Sequence, residues 1–463
     1  MRKIRSLIYI LVLLAISGCG RKEVDYSVDD TAENSGGYSD ISMDKISEKI
    51  GVEELWEETI NADDLKKVYA EVIVPDVTGM KVVDMEAVKY FDSPEDKERF
   101  IRSLTSGDIY WYGNDYRIKE DYDWDIASVQ ALIDYFEAEG GYSDDEYDSL
   151  VDALTILEEE RENAPEDYVS AENFEENDYI IEYNGIDYWI TFSDYTDRTE
   201  SIYIQPKDYT DFVDKENFNL IFDDVVITSS DENRCLMTEE EARQEALDFI
   251  NNLNIGEFSC VDTKALKYTM YTNSNSQEHI ITPSTEQIEY YDGYTFRFLR
   301  SIDGINVDGN YYRFSDTYLN QIIVEEVDDI ANYLWFPKDC MEEITIRVND
   351  KGIVNMEYCS PMHITSINAE NVNLLSFDKV KAALAYEIDS KDYYGYKTFR
   401  YLELTYFNYY DKELNKNCII PVWRLTDKSF NSMVGEEEFS YVMINAMDGS
   451  VINVGEQITM SNE

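Results

Sequence analysis

The dipeptide Asn184-Gly185 lies between two short runs, Asp178–Tyr183 and Ile186–Phe192, rich in aromatic and β-branched residues. An Asn-Gly pair in that setting favours the type I′ turn, whose twist matches right-twisted strands, so the segment Asp178–Phe192 predicts a β-hairpin. Asp448-Gly449 repeats the signal inside Phe439–Val454, and alternation over Lys67–Val74, with Val68, Ala70, Val72 and Val74 on one face, adds a half-buried strand. Ser201–Gln205, Tyr294–Ile305, Ile344–Val348, Phe399–Phe407 and Cys418–Leu425 are further strand candidates. A chain punctuated this way builds antiparallel sheet.

Helical signals are interleaved with these strands. Helix begins to replace polar sequence from Ser42, and Ser93-Pro94-Glu95-Asp96 supplies an N-cap, a first-turn proline and early acids ahead of Phe100, Ile101 and Leu104. Ile126, Val129, Ile133 and Phe136 form one apolar stripe; Tyr147, Leu150, Val151, Leu154 and Leu157 form another, with Gly140-Gly141 as the break of an αα-hairpin. Thr238 and Glu241 make a capping box, with Met237 and Ala242 at the staple positions and Ala242, Ala246, Phe249, Ile250 and Leu253 as the buried face. A last helix opens at Ser376 with Val380, Ala383, Leu384 and Ile388 inward. The expected class is α+β: antiparallel sheets with helices packed on one face, in two bodies, residues 41–235 and 236–463, divided at the polar stretch Ser229–Cys235. Helix followed by antiparallel strands recurs within the second body.

Residues 1–18 carry Arg2, Lys3 and Arg5, then the apolar run Leu7–Ile16, then Ser17 and Gly18. That is the order of a secretory signal, and a run of about ten apolar residues is short of the roughly 20 a spanning helix needs. Ile16-Ser17-Gly18-Cys19 matches the bacterial lipobox, which places cleavage between Gly18 and Cys19 and acylation on the Cys19 sulfur. Two acyl chains hold a protein at a bilayer surface stably. Residues 19–40, polar and acidic, read as a flexible stalk. The expected location is therefore the outer face of the cell membrane, anchored and not spanning.

Charge narrows the partners. With 97 acidic against 39 basic residues the net charge is −58, a field that repels a phosphate backbone, so nucleic acid is excluded as a partner. The same field favours cationic partners or divalent ions, and it also keeps an exported protein soluble. Only two histidines, His279 and His363, are available for metal or relay chemistry. Beyond Cys19 the thiols Cys235, Cys260, Cys340, Cys359 and Cys418 show no C-x-x-C spacing and leave an odd number for pairing.

No motif commits the chain to a reaction. Ser42-Met-Asp-Lys45 and Ser376-Phe-Asp-Lys379 have S-x-x-K spacing without the companion S-D-N and K-T-G elements, and Ser376 has an adequate role as an N-cap. Asp121-Tyr-Asp123-Trp-Asp125 opens like an EF-hand loop, but Ile126 stands where Gly is needed and Leu132 where Glu is needed. Tyr188-Trp189, Tyr393–Tyr396 and Tyr406–Tyr410 could stack on sugars, though aromatics also suit half-buried strands. Neither a cofactor, a metal nor catalytic residues are expected.

Three stretches together resemble a family of Gram-positive lipoproteins defined only as a domain of unknown function: Tyr294-Thr-Phe-Arg-Phe298 with Ile302-Asp-Gly-Ile305, Ile344–Ile353 followed by Pro361, and Pro421-Val-Trp423 with Ile444-Asn-Ala-Met-Asp-Gly449. The resemblance runs from about Val68 to the C-terminus, and Met237–Val454 is also similar to PepSY-like modules. It implies a helix packed on a small antiparallel sheet, closed by an Asp-Gly turn, and a non-catalytic role in binding or regulating a protein partner at the cell surface. A cell-wall glycan or solute is the alternative ligand, and a cell-wall-acting enzyme the third reading. The resemblance transfers no site residues.

Overall fold

The computed structural model describes residues 44–62, 66–113, 116–139, 143–194, 200–207, 222–227, 233–271, 287–308, 342–390, 398–411, 414–427 and 441–452. The Gly18-Cys19 lipobox, the 19–40 stretch, Ser42, Gly140-Gly141, His279, Cys340 and Tyr393–Tyr396 lie outside them. The fold is mixed α+β, dominated by antiparallel sheet.

Sheet 1 runs β4 (Ile109–Trp111), β5 (Asp178–Tyr183), β6 (Ile186–Asp194), β7 (Glu200–Pro206), β13 (Gly352–Cys359), β12 (Glu343–Asn349), β10 (Gln287–Ile302), β9 (Phe258–Tyr271) and β8 (Phe222–Ile227), every neighbour antiparallel. The β5–β6 hairpin turns at Asn184 and Gly185, with φ of 54° and 80°, as the type I′ signal requires. Helices α2 (Pro94–Leu104) and α5 (Glu239–Leu253) bury Phe100, Ile101, Ala242, Ala246, Phe249 and Ile250 in one core with Ile190, Ile204, Phe296, Ile346 and Met356. The Ser93 side chain caps α2 and Thr238 with Glu241 boxes α5.

Sheet 2 is built on β15 (Thr398–Asp411) and β16 (Lys416–Thr426). Beside β15 lie β2 (Lys66–Ile73), itself paired to β1 (Leu55–Asn61), and β11 (Ile305–Asp308), both parallel to β15. Beside β16 lie β17 (Tyr441–Asn445) and β3 (Val82–Ala87), and β14 (Met362–Ala369) pairs with β3. Helices α1 (Ile46–Ile50) and α6 (Phe377–Ser390) share a core with this sheet, centred on the buried Trp423, whose ring lies 5.7 Å from Phe377. Lys66 reaches the far end of α6, its ammonium donating to the carbonyl of Ile388 at 3.1 Å, where the helix dipole favours a cation.

Two sequence expectations are corrected. Strand pairing joins residues on the two sides of the 229–235 stretch: β7 pairs with β13, β2 with β15, and β3 with both β14 and β16. Each core therefore draws on both halves of the chain, so neither 41–235 nor 236–463 holds a complete sheet. Tyr294–Ile305 is two strands, because Asp303 and Gly304 adopt left-handed φ of 50° and 76° and turn the chain from β10 into β11. That turn carries the chain from sheet 1 into sheet 2. Arg300 fixes it from behind: buried, it pairs with Glu342, stacks 4.7 Å from the Phe258 ring and donates to the carbonyl of Met362 at 2.9 Å. Tyr358 donates to Glu342 at 2.6 Å and completes the cluster. The remaining helices, α3 (Lys119–Glu139) and α4 (Asp144–Asn163), pack on each other.

Candidate functional site

A shallow groove of about 570 Å³ opens beside α5, lined by Leu236, Met237, Glu241, Gln244, Glu245, Asp248 and Asp350. Glu241, Gln244, Glu245 and Asp248 follow the i, i+3, i+4, i+7 spacing of one helical face, opposite the buried stripe from Ala242 to Leu253. The other wall is the segment 233–237, and its backbone is fastened on two sides. Asn233 exchanges hydrogen bonds with Gly293, donating to its carbonyl at 2.8 Å and accepting from its N–H at 3.1 Å. Gly293 sits at φ 120°, where a Cβ would lie 2.2 Å from the carbonyl of Val348, so the approach requires glycine. Asp350, in the β12–β13 turn, accepts from the N–H groups of Leu236 at 2.6 Å and Met237 at 3.0 Å and from the Cys235 thiol at 3.0 Å. Held this way, Leu236 projects into solvent with 88% of its surface exposed.

Among the described residues no Lys or Arg lines the groove. Arg243, on the same helix, is engaged by Glu239 and by Glu240 at 2.8 Å. A cation entering the groove therefore meets Glu241, Glu245, Asp248 and Asp350 without competition from a lining cation. The Cys235 thiol at its edge is pushed up to about 12 by burial and by its bond to Asp350, so it stays protonated and inert. An apolar side chain held rigidly in water beside carboxylates is equipped to dock a basic, partly apolar segment.

The other sequence candidates are placed as follows. Asp121, Asp123 and Asp125 are engaged by Lys207, Arg161 and Arg117 respectively, and the helix turns Asp123 to a different face from Asp121 and Asp125; among the described residues no cluster of acidic, Cys and His side chains fits a metal. Lys379 donates its backbone N–H to the Ser376 carbonyl at the start of α6. Tyr188 is buried with its hydroxyl on the Ile353 carbonyl, Trp189 donates to Asp178 at 3.2 Å, and Tyr406 accepts from the Lys81 N–H at 2.8 Å, so these aromatics serve the sheets. His363 stands exposed on β14. Cys235, Cys260, Cys359 and Cys418 are free thiols. Sequence reasoning placed Met237 as a staple but passed over Leu236, whose exposure follows from Asp350, more than a hundred residues away in the chain.

The fold is that of a mixed α+β protein, with a carboxylate-lined groove beside α5. No protein-family model matches the chain, and no curated protein matches it. Among solved structures it is similar to an uncharacterized protein from Eubacterium rectale ATCC 33656, at 13% identity and a TM-score of 0.37 over 87% of this chain and 94% of that one, a likeness too distant to support any assignment.

Proposed function

We propose that this protein is an exported lipoprotein, anchored through Cys19 at the outer face of the cell membrane, that binds a protein partner without catalysis. The observation that carries the reading is Leu236, fixed in solvent by Asp350 and Asn233 beside a carboxylate-lined wall. In this reading each pair of helices covers one face of its sheet, giving two bodies joined through the β10–β11 turn and raised on the 19–40 stalk. No helix among the described residues is long and apolar enough to cross a membrane, and anchoring by Cys19 needs none.

The test uses the full-length chain in its native host. Cys19→Ala should release the protein from membranes or leave an uncleaved precursor; a mature, membrane-bound variant refutes the anchor. Crosslinked membranes should yield a partner that Leu236→Ser recovers at least fivefold less well at equal protein level. Equal recovery refutes the groove as the binding surface.

A further inference from the structure

Strand β14 is an edge among the described strands. Among the described strands it pairs with β3 alone, and its burial pattern is unusual: Met362 and Ala369 are buried at its ends, while all residues from His363 to Asn368 between them are exposed. An edge left open in solution normally carries charge or proline as protection. In a chain with 97 acidic and 39 basic residues, Met362–Ala369 contains neither Asp, Glu, Lys, Arg nor Pro.

The register explains what the edge presents. Ile364 lies opposite Met85 and Ile367 opposite Val83, with one bulge between Ile364 and Ser366 and a second between Ile367 and Ala369. Met85 and Val83 point to the same face of β3, into the core of sheet 2. The first bulge thus sets two isoleucines, three positions apart, on one face where regular alternation would split them. They extend that core face outward, yet remain 42% and 50% exposed. The opposite face is locked. Asp84 accepts from Ser366 at 3.0 Å, Asn368 at 2.5 Å and Lys416 at 2.8 Å, and Thr365 donates to its carbonyl at 3.3 Å. Burial pushes the Asp84 carboxyl up, but these donors outweigh it and hold it below its ordinary value, so the clamp is charged at neutral pH.

We infer that β14 accepts an added strand: an extended segment of another protein, with aliphatic residues at alternate positions and flanking lysine or arginine. Main-chain pairing supplies register, Ile364 and Ile367 supply the apolar contact, and the net charge of −58 selects a cationic partner by steering. The same charge opposes a second copy. A lipid surface cannot satisfy strand N–H and C=O groups. The inference is separate from the groove beside α5.

The probe is a fluorescein-labelled nine-residue peptide alternating valine with lysine and threonine, titrated into the full-length chain. Bound peptide should slow amide exchange across Met362–Ala369 at least tenfold. Ile364→Lys with Ile367→Lys, at exposed positions that leave melting unchanged, should weaken binding at least tenfold. A peptide N-methylated on alternate amides should weaken it similarly, and Leu236→Ser should change nothing. Unslowed exchange at β14, or equal binding by the double variant, overturns the proposal. So does a concentration-dependent dimer that the double variant abolishes, which would make the occupant a second copy.

Discussion

Glu200 opens β7, and its half-buried carboxylate accepts from the N–H of Phe91 at 3.2 Å ahead of helix α2. Burial raises its pKa from 4.5 to about 7; the N–H groups of Phe91 and Tyr90 oppose that rise, and Asp194 and Asp92 add to it. The folded state therefore prefers the protonated acid. That preference contributes fully below pH 4.5, fades as pH rises, and is gone above about pH 7. At about 1.4 kcal/mol per tenfold change in proton affinity, the interval amounts to about 3 kcal/mol, and solvent screening at a half-buried site brings the observable part to about 1–3 kcal/mol. Glu200→Gln keeps an acceptor for both N–H groups and cannot ionise. Urea unfolding of wild type and variant, followed by tryptophan fluorescence at pH 4, 6 and 8, should give curves that coincide at pH 4 and separate by about 1–3 kcal/mol at pH 8, the variant being more stable. A variant equal to wild type at pH 8, or less stable there, refutes the reasoning.

Three further outcomes follow from the packing. A fragment from Thr238 to Glu463 lacks β2, β3 and β7, so it should show no cooperative melt by calorimetry; a sharp transition would mean the cross-chain pairing is dispensable. Gly256 sits at φ 113°, where a Cβ would stand 2.3 Å from Nη1 of Arg300, so Gly256→Ala should displace the Arg300–Glu342 pair and lower stability by about 3 kcal/mol or more in chemical denaturation. The Trp423 indole is buried, and its N–H has no hydrogen-bond partner among the described residues, so Trp423→Phe should be mild, whereas Trp423→Ala should lower stability by about 3–5 kcal/mol; equal losses would reveal a hidden hydrogen bond.

What was legible in the sequence was local. The Asn184-Gly185 turn, the Thr238–Glu241 box, the Ser93-Pro94 start and the positive φ of Gly449 are each decided by residues a few positions apart, and each appears where the pattern puts it. Asp303-Gly304 carries the same kind of signal as Asp448-Gly449, but the apolar residues on both sides of it read as one unbroken strand. Pairing partners left no such trace. Nothing near Val68 announces Phe399, and nothing near Ile204 announces Met356, because backbone hydrogen bonds are indifferent to side-chain identity. The polar stretch at 229–235 read as a division for the same reason: a polar composition carries no record of which strands pair from its two sides. The groove escaped notice because Leu236 next to a helix start looks like core until Asp350 is seen holding its backbone.

The Lys66 ammonium meets the Ile388 carbonyl across 322 residues of chain, and β2 cannot be sandwiched between β1 and β15 until Thr398–Asp411 exists. A chain emerging N-terminus first can pair β1 with β2 at once, but it must hold the other edge of β2, and all of β3, unpaired for most of its synthesis. Closing such loops is slow and leaves strand edges open to wrong partners.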